Sequence, residues 1–319
     1  MNNNWFEHLS YLKSCHSQVK EIIGSGKVCY LDIPFHFNVG DLLIYKGTEK
    51  FLQESDIQVV YRSFANNCNF KKVEGCDVIL LHGGGNFGDI YDLHQKFRER
   101  IIKRFPDKKI ICLPQSIHFG CSEELEKSAK IFNLHNDLHL LVRDRESLNI
   151  ASLFSKNYYL MPDMAHSLHP LVDESEVEIV RIPTKRLKLN RIDIEKVDSK
   201  SLLNKCSFDW NQLISRYDIF SYKVLSKISK LASERCVLEW SKQTDNIVFN
   251  SIFYFSFYHE VQTDRLHGFL LSYLLGKKVI LFDNSYGKNR RYFNTWFEDD
   301  NILITIKADR NASEDCVTY

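Results

Sequence analysis

A doubly wound α/β architecture in two units is the fold class this chain predicts, and three observations carry it. The first is a series of short apolar runs, Val28–Ile33, Ile57–Tyr61, Val78–Leu81, Ile110–Leu113, Leu138–Val142 and Tyr158–Met161, most of them followed by turn residues or a polar helical stretch. Runs of this length fit parallel strands buried on both faces, and strands alternating with amphipathic helices make a sheet covered on two sides. The second is a helix-to-strand unit late in the chain: Leu266, Phe269, Leu270, Leu271, Tyr273, Leu274 and Leu275 have the apolar density of a buried helix, Gly276 supplies its stop, and Val279–Phe282 reads as the next strand. The third is length, since 319 residues exceed what one hydrophobic core usually serves.

The elements divide near Leu171. From Val172 to about Trp210 the composition turns to mixed charge, as in DESEVEIVRIPTKRLKLNRIDIEKVDSKSL, with one strand expected at Val177–Ile182. This predicts an N-terminal domain over 1–171 and a C-terminal domain over 172–319. In the latter, Tyr217–Glu239 has helical spacing, Asn246–Phe249 and Phe255–Val261 carry weaker patterns, and ADRNASEDCVTY forms a tail.

Composition narrows the function classes. Lys and Arg total 42 against 41 Asp and Glu, so no bulk attraction to nucleic acid is expected and any anion site must be built locally. Nine cysteines without a C-x-x-C pair read as reduced cytosolic thiols. The start of the chain lacks the basic and apolar regions of a signal peptide, and no segment approaches the ~18 uninterrupted apolar residues of a membrane span. A cytoplasmic protein is expected, whose aromatic and basic residues leave peripheral contact with the inner face of a membrane open.

In such sheets ligands gather at the C-terminal ends of strands, so the loops there are the candidates. FHFNVGD puts Asn38, Gly40 and Asp41 at a helix start, where Asn and Asp are also ordinary caps. HGGGNFGD follows a strand and is expected to open a helix through Tyr91–Arg104; Gly83, Gly84 and Gly85 would let a ligand approach the main chain beside Asn86, or serve only as a tight turn. No Gly-Lys-Ser/Thr follows, so it is not a phosphate-binding P-loop, and no G-x-S-x-G elbow accompanies it, so a serine hydrolase is not expected. PQSIHFG offers His118, and RDRES offers Arg143 beside its strand, with Arg145 left to solvent. In TDRLHG, Arg265, His267 and Gly268 stand at the start of the late helix, where unpaired N–H groups and roughly half a positive charge favour an anion. The alternative there is a structural Arg265–Asp264 pair. His166 and His169 lack a third ligand nearby, and no metal is expected.

With these residues in hand the chain resembles the polysaccharide pyruvyl transferase family, from about Asp32 to Phe297, through NVGD, HGGGNFGD, PQSIHF, RDRES, MPDMAHSL, TDRLHG and FDNSYGKN. The resemblance implies two Rossmann-like doubly wound domains similar to B-type glycosyltransferases, the N-terminal one toward the acceptor and the C-terminal one toward the donor. It implies phosphoenolpyruvate as donor substrate, no cofactor, and a sugar or lipid-linked oligosaccharide as acceptor. Arg265, Leu266 and His267 are then donor binders with Gly268, Arg143 is a further donor binder, and His118 matches the histidine after the P-Q-S strand. Asn38, Gly40, Gly83, Gly84, Gly85, Asn86, Asn284, Tyr286 and Lys288 are loop or acceptor contacts. The charged segment between Thr184 and Trp210 departs from the family pattern. Phosphoenolpyruvate needs two anion holders, which Arg143 and the Arg265–His267 helix start would supply; His267 or His118 would protonate its methylene carbon, and Asp41 or Asp89 would deprotonate the hydroxyls. A nucleotide-sugar glycosyltransferase of the same architecture and a non-catalytic polysaccharide-assembly protein are the competing expectations.

Overall fold

The computed structural model describes residues 3–172, 185–190, 208–229, 233–283, 287–297 and 303–307. The expected strand at Val177–Ile182, most of the charged segment, Asn284, Tyr286 and the C-terminal tail lie outside the described residues. Two helices open the chain, α1 (Asn3–Ser14) and α2 (Ser17–Ile23). The first sheet and its helices follow as β1 (Val28–Leu31), α3 (Val39–Glu54), β2 (Val59–Arg62), α4 (Phe70–Glu74), β3 (Val78–Leu81), β4 (Gly84–Gly88), α5 (Asp92–Arg104), β5 (Lys109–His118), α6 (Ser122–Asn133), β6 (Leu138–Val142), α7 (Arg145–Ala151) and β7 (Asn157–Leu160). The second comprises β8 (Arg186–Leu189), α8 (Arg216–Ile228), α9 (Ser233–Ser256), β9 (Glu260–Thr263), α10 (Leu266–Leu274), β10 (Lys278–Phe282), α11 (Lys288–Trp296) and β11 (Ile304–Lys307).

Every apolar run of the first half forms a strand, because runs buried on both faces gain from a covered parallel sheet. The first sheet has the order β2-β1-β3-β5-β6-β7, with β4 paired to β5 off this path, and the second has the order β11-β10-β9-β8. All pairs are parallel. The winding of the first sheet reverses between β1 and β3, which opens a crevice between the loops that follow those two strands. Those loops are FHFNVGD and HGGGNFGD.

The two sheets share a core. One continuous apolar cluster runs from Trp5 and Leu9 through Leu42 and Leu43 of α3 to Trp240 and Leu271, and a second, with Phe87, Phe97, Phe132 and Phe154, covers the other face of the first sheet. Each end of the chain packs on the opposite half. Trp5 Nε1 in α1 donates to Tyr273 O at 2.6 Å, and Trp296 Nε1 in α11 donates to Arg143 O at 2.9 Å.

Three local expectations need correction. HGGGNFGD does not open a helix: Gly84–Gly88 is a short strand, and α5 starts only at Asp92. Gly84 and Gly88 have φ of 126° and 140°, a region that favours glycine, and this lets the segment turn away from β3 and lie along the end of β5. PQSIH is for the same reason not a loop but the continuation of β5, paired on both sides. The helical stretch at Tyr217–Glu239 is two helices, and α9 runs on to Ser256, absorbing Asn246–Phe249, because Gln243, Thr244, Ile247, Val248 and Ser251 prolong its buried stripe.

Candidate functional site

A cavity of about 260 Å³ opens where the C-terminal ends of the two sheets meet. The first sheet contributes His36, Asn38, Gly40 and Asp41 from the loop after β1, and Gly85, Asn86, Tyr91 and His94 from the segment after β3. The second contributes Trp210, then Arg265, Leu266 and His267 after β9, and Lys288 after β10. Asn38 is the N-cap of α3, its Oδ1 accepting from Gly40 N at 3.1 Å, which turns the backbone toward the cavity. Gly40 must be glycine for contact: a Cβ there would stand 2.6 Å from His267 Nδ1.

Behind the cavity wall lies a buried ionic group that the residue pattern did not reveal. Asp163, in the loop after β7, accepts from His267 Nε2 at 3.3 Å, from Ala165 N at 2.9 Å and from Arg143 Nη1. Its own N–H donates to Tyr292 Oη of α11 at 3.0 Å. Burial alone would raise the Asp163 carboxyl, but the charges of His267 and Arg143 and the hydrogen bonds from His267 and Ala165 outweigh it and hold it far below the ordinary carboxylate range. Asp163 is therefore a fixed anion linking the β6 arginine of one sheet to the α10 histidine of the other.

Arg143 is fully buried, and its three nitrogens are used differently. Nε donates to Ser116 Oγ at 2.9 Å, Nη1 faces Asp163, and Nη2 has no hydrogen-bond partner among the described residues. A Cβ placed on Gly85 would lie 3.1 Å from that Nη2 and 2.5 Å from Lys288 Nζ. Two cationic groups from different sheets thus converge on a glycine at the cavity wall, an arrangement suited to an anion. Arg265, the N-cap of α10, is 7% exposed and is held by Asp209, at 2.7 Å from Nε and 2.8 Å from Nη2. Arg265 thus has a structural partner in Asp209, and the same arginine still lines the cavity.

Asp41 faces the cavity from the first turn of α3, with Asn38 Nδ2 donating to Oδ2 at 2.9 Å. Its surroundings desolvate it, yet His36, His267, His82 and Lys288 hold its carboxyl below the usual range, so it is ionised. A second buried acid, Asp32, ends β1 at φ 63°, a strained conformation for a non-glycine residue. It takes His94 Nδ1 at 2.7 Å and Arg98 Nη2 at 3.2 Å; Arg98 in turn donates to Asn86 O at 3.0 Å and to Asn86 Oδ1. This chain of contacts fixes His94 and Asn86 at the wall.

Of the residues singled out in the sequence, Asn38, Gly40, Asp41, Gly85, Asn86, Arg265, Leu266, His267 and Lys288 meet at the cavity, and Arg143 stands directly behind Gly85. Gly83 packs against Pro114 O, Gly84 against Ile44 and Asp41, and Gly268 against Leu189 and Thr263. His118 and Asp89 do not line the cavity: Asp89 accepts from Gly120 N at 2.9 Å and Cys121 N at 2.8 Å at the far end of β4 and β5. His166 bonds Tyr292 Oη at 2.9 Å and His169 bonds Ser10 Oγ at 3.1 Å. The lining residues His36, Tyr91, His94 and Trp210, and the supports Asp163 and Asp209, were given no role from the sequence; His36 and Asp163 had a signal, their places in FHFNVGD and MPDMAHSL. Among the described residues no three His, Cys, Asp or Glu side chains are grouped to hold a metal, and no helix is long and apolar enough to cross a membrane.

The site's histidine-rich surroundings give a pH expectation. Burial lowers His16 to about 4, His82 to about 4 and His166 to about 3. An unfolded chain takes up these protons near pH ~6.5, so below that pH the unfolded state binds more protons and stability falls until the folded values are reached. The urea midpoint is expected to decline steadily from pH ~6.5 to ~4; a flat midpoint across that window would show that other groups govern acid unfolding.

Comparison with known proteins places this geometry. Residues 38–248 match the family model described as polysaccharide pyruvyl transferase. EpsO of Bacillus subtilis (strain 168) is 39% identical over 283 residues, covering 85% of this chain and 86% of that protein. Pyruvyl transferase 1 of Schizosaccharomyces pombe (strain 972 / ATCC 24843) is 28% identical over 309 residues, covering 89% of this chain and 74% of its own length. The crystal structure of the functionally uncharacterized protein KP1_0663 from Klebsiella pneumoniae subsp. pneumoniae NTUH-K2044 shares the fold, with a TM-score of 0.53 at 20% identity over 97% of this chain and 100% of that one. On the family match over 38–248, together with a relative at 39% identity, the chain belongs to the polysaccharide pyruvyl transferase family.

Proposed function

We propose that this protein transfers the pyruvyl group of phosphoenolpyruvate onto two hydroxyls of a sugar in a surface-polysaccharide precursor, closing a pyruvate ketal and releasing phosphate. The observation that carries the reading is the convergence of Arg143 Nη2 and Lys288 Nζ on Gly85, in the same cavity that Arg265 and His267 line from the start of α10. Two separated cationic positions suit a small donor that bears both a carboxylate and a phosphate. On this reading the two sheets are the Rossmann-like halves of a B-type glycosyltransferase architecture, 1–171 toward the acceptor and 172–319 toward the donor, and the acceptor is lipid-linked at the cytoplasmic face of a membrane.

The chemistry then divides among the residues on the page. A proton passes to the methylene carbon from His267, whose ring is oriented by Asp163 through Nε2. The first sugar hydroxyl adds to the neighbouring carbon and loses its proton, with the ionised Asp41 as acceptor. The carbon–oxygen bond to phosphate breaks as the second hydroxyl adds, its proton leaving with the phosphate. Arg143, Lys288 and Arg265 hold the anions throughout.

Purified protein given phosphoenolpyruvate and lipid-linked glycan from cells lacking it should release phosphate as the glycan gains the mass of a pyruvate ketal. Thermal stabilisation separates the competing readings, since a ligand at 100 times its Kd adds about 2.7 kcal/mol. A shift with a UDP-sugar and none with phosphoenolpyruvate would make it a glycosyltransferase; no shift with either, and no release, would make it an assembly protein. Transfer is also expected to persist in excess chelator, because no metal-spaced ligand group is present among the described residues. Complete loss in chelator, restored by Mg²⁺ or Mn²⁺, would overturn that expectation.

A further inference from the structure

The outer face of α8 carries an apolar stripe. Tyr217, Phe220, Val224 and Ile228 follow one another at helical spacing and are 75%, 65%, 42% and 41% exposed. At about 100° per residue, Arg216, Lys223 and Lys227 fall side by side along one flank of that stripe, and all are exposed. The helix's acid, Asp218, is buried in a capping box with Ser215. The inner face is fixed in place: Tyr222 lies 4.7 Å from Phe35 and 5.0 Å from Phe37, ring to ring, and Trp240 Nε1 of the adjoining α9 donates to Pro34 O at 2.7 Å. The segment held by these contacts continues directly into Asn38, Gly40 and Asp41 of the cavity.

We infer that α8 docks the protein on an anionic lipid bilayer, its aromatic stripe entering the headgroup layer and its basic row lying on acidic headgroups. An exposed apolar stripe beside a row of cations is the pattern that binds such an interface, where burial of the stripe and attraction of the row act together. A second copy of the chain fits less well, since an antiparallel pairing of α8 with α8, about a two-fold axis normal to the helices, brings the two basic rows together. Docking of α8 holds the cavity loop near the membrane surface, where the sugar of a lipid-linked acceptor stands. That last consequence rests on the proposed function, whereas the docking itself does not.

Flotation of the full chain with vesicles tests it, comparing phosphatidylcholine alone with phosphatidylcholine containing phosphatidylglycerol. Wild-type protein is expected to float with the anionic vesicles and to be released by salt. Lys223→Glu combined with Lys227→Glu should lower partitioning by about 25-fold or more, at about fivefold for each cation removed. Phe220→Ser should weaken it about tenfold through lost apolar burial. Both variants change exposed residues, so their melting temperatures and their phosphate release with a water-soluble acceptor should match wild type; should the double variant melt early, Lys227→Gln alone reads the same term. Equal binding to neutral vesicles, or variants that float like wild type, would overturn the proposal. So would a wild-type dimer in sedimentation that Phe220→Ser converts to monomer, which would assign the stripe to a second copy. Anionic binding without phosphoenolpyruvate turnover would leave the docking standing and remove the proposed activity.

Discussion

Replacing His267 with glutamine is expected to lower kcat by about 10²–10⁴-fold while leaving the donor KM nearly unchanged. The split follows from the division of labour at the cavity. On the proposed function the donor anions would be held by Arg143, Lys288 and Arg265, so an imidazole at the first turn of α10 would add little to binding that these do not supply. On that reading it supplies the proton, from a ring positioned by Asp163 at Nε2 and by the bare backbone of Gly40 near Nδ1. Steady-state kinetics, with deuterium incorporation into the pyruvyl methyl group followed in D₂O, decides it. A raised KM with wild-type kcat would make His267 a phosphate binder. Near-wild-type values in this variant and in His118→Gln would leave protonation to a group other than these histidines.

Asp163→Asn is expected to damage both stability and rate. Removing the charge leaves the Arg143 guanidinium buried beside a neutral amide, and breaking a buried ion pair from one side costs about 3–5 kcal/mol. It also turns the charged acceptor that orients His267 into a neutral amide that can present either its oxygen or its NH2 to Nε2, and weakening such a support is expected to cost about 10–100-fold in activity. The two effects separate by measurement. Urea unfolding reads the first, and kcat at a temperature where the variant is folded reads the second. If the folded variant turns over like wild type, Asp163 serves the packing of the end of β6, α10 and α11 and not the chemistry. If stability is unchanged, the Arg143–Asp163 pair is balanced by its desolvation, and the structural argument for Asp163 fails while the positioning argument stands.

The parts of this site legible in the sequence share one property: each is local. NVGD reads as a helix start because Asn38 caps the residues directly after it, and TDRLHG reads as another because Arg265, His267 and Gly268 are neighbours on one turn. The C-terminal ends of β1 and β3 were legible as ligand-facing because a doubly wound sheet leaves only those loops open. Where residue chemistry depended on a distant partner, local reading missed it. Arg265 is held by Asp209, 56 positions away, a partner that its sequence neighbours do not reveal. Gly84–Gly88 looked like a turn into a helix because three glycines permit one; the pairing of this segment with β5 made it a strand.

The order of apolar runs, the apolar helix with its glycine stop, and the charged groups clustered at strand ends were determined by the sequence itself, because hydrophobic periodicity and end-capping act over a few residues. Which of those charged groups share one cavity was decided only by the tertiary structure. His118 and Asp89, at the end of β4 and β5, are excluded from it, while Lys288 and Trp210 are brought in from the second sheet. Asp163 gains its role only when β6, α10 and α11 close around it, since a buried carboxylate takes its charge state from the cations packed against it and not from its neighbours in the chain.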